Sequence, residues 1–173
     1  CMVRSYNLVS ADSHVNPLPT FWRDYLPRKF REVAPLLEHT DEGDFLVFEG
    51  KRRPFTIIGS LAGKDPKDFK VTGRVSETRQ GGWDPIHRIL DLDIDGVDAE
   101  ILYGGGPLTT RDPDLFAASF PAYNSWLGDF CNFESGRLLG IGYIPMMDQE
   151  AAVEEVKRIA KNGLRGIVIP PFP

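Results

Sequence analysis

The 173 residues predict an α/β fold built on a parallel sheet. Three observations lead there. Strand-length apolar runs alternate with helix-period segments through the second half of the chain. The last three of those runs are nearly continuous in apolar residues, the pattern of strands covered on both faces. The helical segments between them carry the residues that start and stop helices.

In order along the chain, Leu8-Val9-Ser10-Ala11 marks a first strand, from about Tyr6 to near Asp12, and Pro17 and Pro19 end it. Thr20 to Phe30 has helical spacing through Phe21, Trp22, Tyr25 and Leu26, interrupted at Pro27. Residues 39–82 break the rhythm. Asp44–Phe48 and Pro54–Ile58 predict a hairpin around Glu49-Gly50-Lys51-Arg52, and the rest, rich in Gly, Lys and Asp, predicts an excursion over the surface. A helix then runs from Asp84-Pro85 to about Asp95. Asp84 is its N-cap, Ile86, Ile89, Leu90 and Ile94 its apolar stripe, and Gly96 its stop.

Ala99–Tyr103 predicts a strand, and Pro113–Phe133 a helix that Pro121 should bend or divide. Leu138–Ile144 is the next strand. Asp148 caps a helix carrying Val153, Val156, Ile159 and Ala160. Its acidic residues come early and Lys157, Arg158 and Lys161 late, the order the helix dipole favours, and Gly163 ends it. Leu164–Ile169 is the last strand. One domain is expected over 1–173, with 39–82 as an insertion. Four strands without a fourth helix describe either an open sheet or part of one that closes. The stop at Pro170-Pro171-Phe172-Pro173, directly after a strand, favours the second.

Composition narrows the function. Apolar residues make up 42% and charged residues 26%, as in an ordinary globular protein. The net charge is −5, and no basic run is longer than Lys51-Arg52-Arg53, which argues against nucleic acid and polybasic membrane contact. No stretch approaches the roughly 18 apolar residues of a membrane span, and the first residues lack the pattern of a secretory signal. Cys1 and Cys131 are too few for a disulfide framework, so the cytoplasm is the expected compartment. Cys1 precedes Met2, read as the natural start, and Cys131 reads as an inert core thiol.

The chemistry concentrates in Asp12-Ser13-His14, at the end of the first strand. Residues i and i+2 of a strand share a face, so Asp12 and His14 project together with Ser13 turned away. A carboxylate and an imidazole so placed can hold a divalent metal. The same residues also suit a turn aspartate beside a hydrogen-bonded histidine.

The segment VSADSHVNPLPTFW resembles the opening of the amidohydrolase superfamily branch that includes aminocarboxymuconate-semialdehyde decarboxylase. DLDIDGVDAEILY, the hairpin GDFLVFEGKRRPF and the long segment from Tyr123 to Pro171 resemble the same branch, in the right order. The resemblance implies a (β/α)₈ TIM barrel. This chain would supply about its first four strands, with a β-hairpin inserted after strand 1. It implies metal-ligand roles for Asp12 and His14, with the other ligands and the catalytic residues beyond residue 173. It implies one divalent metal. Zn²⁺ is the first expectation, and the carboxylate in place of the branch's usual first histidine leaves Mn²⁺ or another ion open. The implied function is a metal-dependent hydrolase acting on a small carboxylated or aromatic compound. Non-oxidative decarboxylation is the alternative, and a non-catalytic half-barrel serving as a structural partner is a second one.

Tyr103 is a candidate substrate contact at the barrel mouth, and of the hairpin arginines that could meet a substrate carboxylate, Arg52 is the candidate, with Arg53 beside it. His39 and His87 read as surface or packing residues, and Trp22 and Trp83 as core or interface aromatics. Asp91–Gly96 mimics an EF-hand start but has Leu102 at the twelfth position. Gly104-Gly105-Gly106 is followed by no phosphate-loop lysine, and no Gly-x-Ser-x-Gly or Cys-x-x-Cys occurs. A half-barrel exposes strand edges and its apolar interior. It is therefore expected to be bound to the missing C-terminal half or a second chain, as a homo-oligomer, rather than to persist as a monomer.

Overall fold

The computed structural model describes residues 5–169. The readings at Cys1, Met2 and Pro170–Pro173 lie outside the described residues. A four-stranded parallel sheet is formed by β1 (Val9–His14), β5 (Ala99–Tyr103), β6 (Leu138–Tyr143) and β7 (Gly166–Val168) in that spatial order. Chain order and spatial order coincide, so each crossover moves one strand along. The crossovers carry the helices α2 (Pro85–Asp95), α3 (Pro113–Asn132) and α4 (Gln149–Lys161).

The helices cover one face of the sheet. Glu100 on that face pairs with Arg88 of α2. A Cβ at Gly140 would press on Leu127 and Cys131 of α3, and one at Gly142 on Ile159 of α4. Leu102 and Leu138 are buried there. The alternate residues Ile101, Tyr103, Leu139, Ile141 and Tyr143 face the other way and are only half-buried. The sheet thus has a closed outer face and an open, largely apolar inner one.

The helix starts are those the sequence predicts. Asp84 accepts hydrogen bonds from the amides of Ile86 and His87, with Pro85 behind it, and Gly96 stops α2 at φ 67°. The stripe on α2 differs from expectation: Ile86, Leu90 and Ile94 are exposed, and Arg88 and Leu92 point inward. The cause is Glu100. A carboxylate at a buried strand position draws the guanidinium of Arg88 beneath it, and that pairing sets the helix rotation. The same logic turns α4. Glu155 is buried between Asn124 and Arg158, so Val153 and Val156 face outward.

Pro121 neither divides nor ends α3, which is one α-helix, and Arg158 donates to the Pro121 carbonyl. α1 (Phe21–Tyr25) packs on α3 through stacked rings, Phe21 lying 4.2 Å from Trp22 and 5.1 Å from Trp126. Cys131 is buried against β6, and burial pushes its thiol up to about 12, in keeping with an inert core residue.

The inserted segment is a three-stranded antiparallel sheet of β2 (Leu36–Thr40), β3 (Gly43–Phe48) and β4 (Lys51–Pro54). Its turn is shorter than predicted. Glu49 and Gly50 both take positive φ, 49° and 70°, the signature of a two-residue type I′ turn, so β4 begins at Lys51 and ends where the predicted strand would begin. Asp44 ties this sheet to the rest of the excursion. It is 4% exposed, accepts from the Val75 amide at 2.7 Å, and meets His39 Nδ1 at 2.8 Å.

Burial pushes the Asp44 carboxyl up, but the hydrogen bonds from Val75 and His39 and the charge of Arg74 outweigh it and hold it below the usual carboxylate range. A depressed folded value means stability present above the unfolded value and lost as pH falls through the folded one. Asp44→Asn is therefore expected to destabilise the protein by about 1–3 kcal/mol at neutral pH. In chemical denaturation across pH 2–7 the gap from wild type should close in acid. A constant gap would show that charge is not the cause.

Candidate metal site and adjoining pocket

The face on which Asp12 and His14 emerge is decided by an irregularity in β1. Ser10 pairs with Glu100 and Ser13 with Leu102, so three steps on β1 match two on β5. The extra residue is a β-bulge. Before it, Ser10 lies on the helix-covered face. After it, so does Ser13, and the two hydroxyls meet at 2.7 Å. Asp12 and His14 flank Ser13 and fall on the open inner face, both exposed. Without the extra residue His14 would share the face of Ser10, under the helices.

Four hydrogen bonds fix the chain just past this point. Arg88 Nη1 donates to the His14 carbonyl at 2.9 Å, and the Val15 amide donates to the Tyr103 carbonyl at 2.7 Å. The Asn16 amide donates to the Gly82 carbonyl at 2.7 Å, and Asn16 Nδ2 to the Gly59 carbonyl at 2.9 Å. Strand β5, helix α2 and both limbs of the excursion thus converge on residues 14–16. No hydrogen bond or ion pair engages the Asp12 or His14 side chain among the described residues. Tyr103 is the register partner of His14, with its ring 6.1 Å away.

A cavity of about 460 Å³ opens at Val15, the residue after His14. Its walls come from the segment after β1, the loop Gly105–Thr109 after β5, and the inserted sheet, which contributes Leu46, Phe48 and Arg53. The inserted sheet is latched over the loop by its own turn. The Glu49 carboxylate accepts from the Thr110 hydroxyl and from the Arg111 amide at 3.1 Å. Those bonds hold the Glu49 carboxyl below its usual range.

Adjacent residues of β4 point to opposite sides, and this separates the two arginines. Arg52 donates from Nε to Glu38 at 2.5 Å, with its guanidinium 3.4 Å over the Phe45 ring, and it is not among the residues lining the cavity. Arg53 is. It is the one charged residue in the cavity wall and has no ion pair among the described residues. Of the two hairpin arginines, Arg53 and not Arg52 faces the cavity. Strand alternation predicts that one arginine faces in and one out, but not which.

The floor holds a residue that no sequence pattern singles out. Tyr123 is fully buried among Phe21, Trp22 and Trp126, and its hydroxyl lies near the Gly106 backbone with no hydrogen bond of normal geometry among the described residues. Burial raises its pKa, so it stays protonated and is a donor. A Cβ at Gly104 would stand 1.9 Å from that hydroxyl, which accounts for a glycine there. Elsewhere, His39 faces Asp44, and His87 lies 3.3 Å from Asp84 in the first turn of α2, both away from the cavity. Trp22 is buried as expected, and Trp83 lines the cavity.

Asp12 and His14 offer a carboxylate oxygen and an imidazole nitrogen with no hydrogen-bond or ion-pair partner among the described residues, a donor pair whose chemistry suits a divalent cation. Among the described residues no cluster of three or more such donors occurs. No helix among the described residues is long and apolar enough to cross a membrane.

No protein-family model and no curated protein matches the sequence. Solved structures do match the fold. An amidohydrolase from Mycobacterium avium subsp. paratuberculosis K-10 superposes with a TM-score of 0.67 at 17% identity, over 95% of this chain and 50% of that one. The IDCase of Metarhizium anisopliae has a TM-score of 0.56 at 20% identity, over 94% of this chain and 42% of its own. A 5-carboxyvanillate decarboxylase from Novosphingobium aromaticivorans, solved with bound manganese, has a TM-score of 0.55 at 20% identity, over 94% and 41%. The chain shares its fold with these structures, and it spans about half the length of the first of them.

Proposed function

We propose that the chain is the N-terminal half of a metal-dependent (β/α)₈ enzyme of the amidohydrolase superfamily, acting on a small aromatic carboxylate. The observation that carries this reading is the bulge in β1, which turns Asp12 and His14, two metal-type donors without side-chain partners among the described residues, to the inner face, next in sequence to Val15 in the wall of a cavity whose one charged lining residue among those described is Arg53.

The open inner face and the outer sides of β1 and β7 are where the second half would complete the barrel, from this or a second chain. The remaining ligands and the acid–base group come from that half. Mn²⁺ and Zn²⁺ both suit an oxygen and an imidazole nitrogen, and the manganese of the carboxyvanillate decarboxylase supports Mn²⁺. When bound, the ion supplies Lewis acidity toward a carbonyl or carboxylate oxygen and a lowered pKa for its water.

The chain's own residues do the rest of what this half can do. Phe48, Trp22 and Trp83 shape an apolar slot for a flat ring and exclude water from it. Arg53 binds a carboxylate in a cavity with no competing charge. Tyr123 offers its hydroxyl proton from below the Gly104–Gly106 loop. Hydrolysis and non-oxidative decarboxylation both use such a site. The decarboxylase among the structures of matching fold supports the decarboxylation reading.

Full-length protein is expected to hold about one divalent metal per barrel by elemental analysis. Asp12→Ala and His14→Ala should each strip it and lower turnover by 100-fold or more. Retention of the metal by both variants would rule out the assignment. Arg53→Ala should weaken competitive binding of simple hydroxybenzoates by about 10–100-fold, the loss of a charge-assisted pair. Arg52→Ala should stay within about threefold. A reversed order would return the role to Arg52.

A further inference from the structure

The buried pair Arg88–Glu100 does more than join α2 to the sheet. Its bonds are bidentate, Nε to Oε1 at 2.5 Å and Nη2 to Oε2 at 2.8 Å. The side chains are 15% and 3% exposed. A carboxylate this buried, gripping both edges of the guanidinium, fixes the plane of the fork. The remaining nitrogen, Nη1, then points at two backbone carbonyls, His14 at 2.9 Å and Gly81 at 3.3 Å.

We propose that Arg88 is a positioning residue for the metal ligands. It acts through the His14 carbonyl to hold the end of β1 in the register that keeps Asp12 and His14 on the inner face. The inference rests on the metal reading above. Three features carry it. The bulge leaves residues 11–12 out of the regular ladder, so the register beyond rests on the short pairing of Ser13–Val15 with β5 and on contacts from outside the strand. A slip of one residue would exchange the two faces and turn both ligands under the helices. And Glu100 stands on β5, the strand against which that register is measured, so the guanidinium ties β1 to its own reference.

Stability alone is a poor account of this arrangement. The desolvation of a buried ion pair offsets most of its attraction, and apolar side chains of equal volume would serve a helix–sheet contact as well. What only arginine provides is a rigid fork with a third donor in a set direction. Lysine is a single point of charge and cannot satisfy Glu100 and the His14 carbonyl in the same geometry.

The test uses the full-length protein, stripped of metal and titrated with Mn²⁺ by calorimetry, with the thermal midpoint of the metal-free protein measured alongside. Arg88→Lys keeps a charge for Glu100, and its midpoint should fall by only a few degrees. Its Mn²⁺ affinity should fall about 10-fold or more, the range seen when groups that orient metal ligands are removed. The visible spectrum of the Co²⁺-loaded variant should change as well. Should Arg88→Lys not fold, Glu100→Gln releases the fork while keeping the volume, and the same loss of affinity is expected. Mn²⁺ affinity within twofold of wild type, at any change in midpoint, would make Arg88 a structural clasp and overturn the proposal. Wild-type protein that binds no Mn²⁺, or an Asp12→Ala variant that binds it as tightly, would fail the metal reading itself. That outcome is separate from a loss seen or not seen at Arg88.

Discussion

The arrangement depends on the pairing of β1 with β5 after the bulge, with His14 opposite Tyr103. Strand periodicity is two, so one residue of register decides which face every following side chain occupies. Here that choice separates a pair of donors exposed beside a cavity from a pair buried under helices, where an unpaired carboxylate would be costly. Hydrogen bonds from α2, β5 and the excursion meet within three residues of His14.

Buried charges organise the outer layer in the same way. Glu100 sets the rotation of α2 through Arg88, and Glu155 sets that of α4 through Arg158 and Asn124. Both helices consequently expose apolar residues that periodicity would bury, Ile86, Leu90 and Ile94 on one and Val153 and Val156 on the other. The insertion carries a further buried charge, Asp44, and places Arg53 over the cavity while Arg52 is spent on Glu38. In each case a specific ion pair outranks a general hydrophobic pattern, because an unpaired buried charge costs more than an exposed isoleucine gains.

That ranking also explains what could be read from the sequence. The strand–helix alternation, the caps at Asp84 and Asp148 and the stop at Gly96 are local features, and they emerge in the structure from local signals. The shared face of Asp12 and His14 follows from spacing alone. Which face it is does not, since the bulge depends on pairing with a strand some 90 residues away. The buried stripe of α2 departs from its periodicity because Arg88 pairs with Glu100, a strand partner that the helix sequence alone does not reveal. β2 was missed because Leu-Leu-Glu-His-Thr has little alternation to reveal it. Tyr123 sits in a helix full of aromatics, and only the structure shows its hydroxyl without a hydrogen bond of normal geometry among the described residues below Gly104.

The most direct measurement is anomalous diffraction at the manganese edge from crystals of the full-length protein grown with Mn²⁺. The account requires one peak within about 2.2 Å of both the Asp12 carboxylate and the His14 ring, with Ser13 turned to the helices and Arg88 on the His14 carbonyl. A peak bound to other residues, or Asp12 and His14 engaged with protein partners and no peak between them, would contradict it.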